Sequence, residues 1–113
     1  MKLRIVVLGP KGQGREDWRQ TIATAAQEAI ERSDIKWTLH TGPLTINARF
    51  YIPRPKTIKH TLHATKPDLG RQLLPALEDA LESIVLAHGW QIYEVQASKD
   101  YGPCGATIEV SSP

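Results

Sequence analysis

The spacing of apolar residues changes along this chain, and each change marks an element. Leu3 to Leu8 is a short apolar, β-branched run closed by Gly9-Pro10, which predicts a buried strand. Trp18, Ile22, Ala25, Ala26, Ala29 and Ile30 then recur at helical spacing, with Arg19, Gln27, Glu28 and Glu31 opposite them. That pattern predicts an amphipathic helix covering a sheet. Trp18 reads as a core anchor of that helix rather than a base-stacking platform.

After a turn at Thr41-Gly42-Pro43, Leu44, Ile46, Ala48, Phe50 and Ile52 alternate with Thr45, Asn47, Arg49 and Tyr51. This is the clearest strand, with one face buried and one wet. Arg49 and Tyr51 share the wet face, and Pro53 and Pro55 end the strand. Pro55 to Lys66 is a polar loop. Asp68 opens a second helix with Leu69, Leu73, Leu77, Ala80, Leu81 and Ile84 as its apolar stripe. Pro75 falls seven positions after Asp68 (75 − 68), too deep for a first-turn proline. It should kink the helix or mark its true start. Gln91 to Ser98 and Ala106 to Val110 read as a strand pair joined by a Gly-Pro loop. The order β-α-β-α-β-β predicts an α+β fold, a mixed β-sheet with two main helices packed on it.

Composition narrows this only a little. With 113 residues, 41% hydrophobic and 23% charged, the chain suits one globular domain spanning 1–113 with a modest core. A formal net charge of +2 is compatible with nucleic acid without arguing for it. The amino terminus lacks a signal pattern, and Ile5-Val6-Val7-Leu8 is too short to span a membrane, so a soluble cytoplasmic protein is expected. The single cysteine, Cys104, excludes an intrachain disulfide. Its Gly102-Pro103-Cys104-Gly105 setting suits a turn or a small packing group rather than a nucleophile.

The distribution of charge is more informative. Arg49, Arg54, Lys56, Lys59, Lys66 and Arg71 fall in one span whose single acid is Asp68, at a helix start. Cations around a carboxylate suit a site that handles phosphodiesters; a solubilising surface is the plain alternative. Gly9-Pro-Lys-Gly-Gln-Gly14 is not a phosphate-binding Walker loop, because Arg15-Glu16 stand where Lys and Ser/Thr are required. His60 and His63 have helical metal-pair spacing, but no third ligand accompanies them.

Several pieces together resemble the RusA family of Holliday junction resolvases, many of them encoded by phages and prophages. They are Phe50 with Pro53-Arg54-Pro55, Lys66-Pro67-Asp68-Leu69, Asp79-Ala80-Leu81, Gln91, and Ala97-Ser98-Lys99 with Tyr101-Gly102. The start also fits, through Gly9-Pro10, Gln13-Gly14 and Trp18-Arg19. The resemblance implies a homodimer acting on a four-way DNA junction in recombination and repair. It also implies Mg²⁺ held by carboxylates, with two ions about 4 Å apart activating water and relieving charge on the leaving oxygen. On it, Asp68 is the catalytic and metal-holding carboxylate, with a helix N-cap as its plain alternative, and Lys66, Arg71 and Lys99 would contact junction phosphates. Among other acids Glu94 has the best claim to join Asp68 on a metal, because it lies on the strand expected after residues 88–89, and Arg54, Lys56 and Lys59 would contact DNA from the acid-free basic span.

The chain departs from the family pattern where that pattern is acidic. Asp-Leu-Asp becomes Asp68-Leu69-Gly70, and the Asp pair before the strand Gln becomes His88-Gly89. The basic residue further into the helix is replaced by Leu73 and Leu74, and aligning Asp79 needs a one-residue insertion. Asp79 lies 11 positions beyond Asp68 (79 − 68), roughly 16 Å along an unbroken helix, so neither it nor Glu78 should share an ion with Asp68. Three readings follow: a working Mg²⁺-dependent resolvase with an altered acid set, a non-cleaving DNA-binding derivative, or an interaction protein that keeps only the fold.

Overall fold

The computed structural model describes residues 2–9, 14–33, 42–53, 69–82 and 84–112. Strand β1 (Lys2–Leu8) leads to helix α1 (Arg15–Arg32), then strand β2 (Leu44–Ile52). A π-helical turn at Leu69–Leu73 runs into helix α2 (Leu74–Leu81). A 3₁₀ turn at Gly89–Gln91 feeds strand β3 (Ile92–Tyr101), and β4 (Gly105–Ser111) follows. The expected α+β order is present, with a mixed four-stranded sheet in the order β1-β4-β2-β3.

Alternation builds this sheet. Leu3, Ile5 and Val7 of β1 face the same side as Ala106, Ile108 and Val110 of β4 and as Ile46, Ala48 and Phe50 of β2. Both helices close that side: α1 lies against β1 and α2. Trp18, Ile22 and Ala26 descend from α1, and Leu73, Ala76, Leu77, Ala80 and Leu81 from the second helical segment. Trp18 is 1% exposed and meets Phe50 edge-on at 5.7 Å between ring centroids. Such a pair adds about 0.5–1.5 kcal/mol beyond the area it buries. The other side of the sheet is open at its described residues, Arg4, Val6, Asn47 and Arg49 among them.

β2 and β3 run parallel, so a crossover must join them, and the π turn with α2 lies within it. β3 and β4 do not form the expected strand pair. β2 lies between them, and the short Gly102–Cys104 connection passes over its end. The Gly102 N–H donates to the Ile52 carbonyl at 3.0 Å, so the connection caps β2 instead of closing a hairpin. A side chain at Gly102 would press on the ring of Tyr51, which favours the bare backbone there.

Pro75 is resolved by the π turn. Leu69–Leu73 holds one more residue per turn than an α-helix would, and Pro75 sits in the first turn of α2, where a missing N–H costs little. One inserted residue is what an α-helix absorbs as a π turn. The insertion expected for Asp79 and the misfit of Pro75 fall on the same turn.

Candidate nucleic-acid interface

The head of β3 is the most unusual corner of the molecule. Gln91 is the one buried polar side chain among the described residues. Its Nε2 donates to the Gly42 carbonyl at 2.8 Å, and its Oε1 accepts from the His88 N–H at 2.6 Å. The Gln91 N–H donates back to the His88 carbonyl at 3.1 Å, closing the 3₁₀ turn. A buried amide so used cannot be removed without orphaning backbone groups. Gln91, matched to the family on sequence, thus serves here as the pin that fixes residues 88–91.

What the pinned turn presents is aromatic. The His88 and Trp90 rings stack 4.9 Å apart at an interplanar angle of 9°. Trp90 is 78% exposed, and Tyr93 and Val95 beyond it are exposed as well. Gly89, between the stacked rings, faces α2. A Cβ there would run into Glu78 Oε1 and stand 2.9 Å from Glu78 Cδ. Glu78 and Gly89 share an apolar groove with Ile46, Leu74, Leu77, Ile92 and Val95. The carboxylate nearest position 89 therefore comes from α2, not from the turn.

The other sequence-matched residues fall in distinct places. Asp68, Arg54, Lys56, Lys59, Lys66 and the His60/His63 pair lie outside the described residues. Arg71 is exposed in the π turn, and that turn lies against β3. Lys99 pairs in register with Phe50, which puts it on the helix side of β3 and half-buried. Glu94 lies in register with Thr45 and lines a polar recess of the open face with Asn47, Gln96, Glu109 and Ser111. Within one subunit the sheet separates it from the helices. Asp79 accepts from Arg15 at 2.6 Å and ties α2 to the start of α1.

Arg49 and Tyr51 do share the open face, but that face is not cationic. Its described residues set Lys2, Arg4 and Arg49 against Glu94, Asp100 and Glu109, three charges of each sign, so they cancel. Lys2 pairs with Glu109 at 3.4 Å and Arg49 approaches Asp100 at 3.8 Å. On α1, Arg19 hydrogen-bonds Glu16 and holds its carboxyl below the usual range. Cys104 packs beside Gly9, and burial pushes its thiol above the ordinary value, as a packing group requires.

Among the described residues no three His, Cys, Asp or Glu side chains converge. Glu78, His88 and Glu94 surround the head of β3 from different sides, and these donors do not fit a two-metal site. Sequence reasoning missed two residues here. Trp90 stands between Gly89 and Gln91, where no apolar period marks it, and Glu78 has in the sequence only its distance along the helix from Asp68. The Gly89 that makes room for Glu78 was the available signal.

No helix among the described residues is long and apolar enough to cross a membrane. No curated protein matches the chain closely enough to add to this picture. The family model for endodeoxyribonuclease RusA, by contrast, matches residues 10–111, from ahead of α1 through β4. With that span and the α+β build behind it, this chain belongs to the RusA endodeoxyribonuclease family, Holliday junction resolvase-type nucleases that act on branched DNA and generally depend on metal.

Proposed function

We propose that this chain binds four-way DNA junctions as a homodimer and cuts them slowly or not at all with Mg²⁺. The observation that carries the reading is the head of β3. Where the family pattern has an Asp pair, this chain has a His stacked on a Trp and a Gly backed by Glu78. Mg²⁺ sheds water reluctantly and wants several converging oxygen ligands. Asp68 is then the remaining carboxylate of the expected set, joined by Glu94 only if both reach one ion. Binding needs neither. Arg54, Lys56, Lys59, Lys66, Arg71 and Lys99 contact phosphates, a role that requires cations alone and that salt weakens.

The test is junction binding and cleavage in Mg²⁺ and in Mn²⁺, alongside Gly70→Asp/Gly89→Asp with and without Glu78→Ala. The unaltered chain should bind with a steep salt dependence and leave the junction nearly intact. Restoring the two acids should recover some cleavage, because the exposed Glu78 side chain can swing clear of position 89 or add an oxygen ligand there. Adding Glu78→Ala to the double variant separates these: cleavage holds if Glu78 only steps aside and falls if it ligates. Vigorous Mg²⁺-dependent cleavage by the unaltered chain would overturn the impaired-site reading and leave the family assignment intact. Replacing Lys56, Lys59 and Lys66 with Ala should flatten the salt slope by roughly one unit for each phosphate no longer neutralised.

A further inference from the structure

We infer that the turn His88–Gln91 is a stacking platform for an unpaired nucleobase. The inference rests on the DNA-binding reading and deepens it, because it names which part of a branched DNA this corner takes. Trp90 is 78% exposed, with Tyr93 and Val95 exposed beyond it, and apolar side chains grouped at a surface mark a place where something binds. Here the ring is not loose. Three hydrogen bonds through Gln91 fix the turn, and the His88 ring lies nearly parallel to the indole, so a stack is already begun. A pre-ordered flat surface gives up little freedom on binding. Every base offers a π-face, so such a platform accepts single-stranded or splayed bases with little sequence preference.

The neighbouring charge selects the base over the backbone. Glu78, seated against Gly89, repels phosphate. It can instead accept from an exocyclic amino group, as carboxylates do from cytosine N4. Phosphates are left to the cations elsewhere. The groove below the turn, floored by Leu74, Leu77, Ile92 and Val95, offers an apolar wall to the base edge. A junction supplies the ligand when pairs at its branch point open, since those bases lack the neighbouring stack that a continuous duplex keeps.

Binding of the unaltered chain, Trp90→Phe, Trp90→Ala and His88→Ala to an immobile junction, a single strand and a plain duplex tests this. Trp90→Ala should weaken single-strand and junction binding on the order of tenfold, with duplex affinity and salt slope unchanged. Trp90→Phe should keep most of the affinity, and His88→Ala should fall between the two. Trp90 is exposed, so folding is not at stake, and circular dichroism confirms it. Equal weakening on all three DNAs overturns the platform. Unchanged binding by Trp90→Ala, failure of the unaltered chain to bind single strands, or a changed sedimentation mass of Trp90→Ala does so as well, the last by making this face a protein contact. If the unaltered chain binds none of the DNAs, the function proposed above fails too. Junction binding indifferent to Trp90 removes this inference alone.

Discussion

The α1 half and the α2–β3 half of the molecule are built by different rules. α1 is an uninterrupted 18-residue helix with Trp18, Ile22 and Ala26 at core spacing, and it lies against β1, whose buried residues alternate without a break. The second half begins with a π turn, carries a proline in the next turn, and ends in an edge strand whose first residues are exposed on both faces. The positions read from the sequence as departures from the family pattern fall there as well: Gly70, Leu73, Leu74, Pro75 and His88-Gly89. A packed core tolerates little change in volume or register, so the scaffold half stays plain. The second half can change its surface chemistry as long as Leu73, Leu77 and Leu81 still reach the core.

Paired substitutions should expose that division most sharply at the two tryptophans. Trp18→Ala should cost about 3–5 kcal/mol, because it removes a buried ring together with its edge-on packing against Phe50. Trp90→Ala should change stability by no more than about 0.5 kcal/mol. Urea unfolding followed by far-UV circular dichroism reads both. Similar costs at the two positions would erase the distinction between scaffold and working surface.

Proline gives the next contrast. Gln27→Pro, in the exposed middle of α1, should cost about 3 kcal/mol, since it removes a helix hydrogen bond and its ring meets the preceding turn. Pro75→Ala should shift stability by less than about 1 kcal/mol, because the π turn and the first turn of α2 already accommodate the ring. A large destabilisation by Pro75→Ala would mean that the proline itself holds the π turn in place.

Legibility divides along the same line. The strand at 44–52 and the stripe of α1 can be read because period and burial agree, and Trp18 takes its expected place in the core. Pro75 is a visible misfit in the sequence, and so is the needed insertion, but only the π turn joins the two. Sheet order is not legible. Local pattern predicts that β3 and β4 exist, yet whether a third strand enters between them is decided by long-range pairing. The corner is half legible: Gly70 and His88-Gly89 can be read where the resemblance expects acids, while the approach of Glu78 to Gly89 depends on how α2 crosses β3. Nothing in the spacing of Lys2, Arg4, Arg49, Glu94, Asp100 and Glu109 announces that the open face will balance, since register alone brings them together.

The smallest expected effect lies at the seam between the halves. Arg15 and Asp79 join the start of α1 to α2 at 2.6 Å, and Asp79 is one of the residues that match the family. A match invites a catalytic role, but the geometry gives a simpler one, since the carboxylate already has a cation. The pair is roughly half exposed, with side chains 54% and 44% accessible, so water and salt screen it. A double-mutant cycle of Arg15→Ala and Asp79→Ala should give a coupling of about 0.2–1 kcal/mol that shrinks as salt rises. Junction binding by Asp79→Ala should be unchanged. If the coupling is this small and junction binding nonetheless disappears, Asp79 belongs to the working surface, and the boundary between the two halves must be redrawn to include the end of α2.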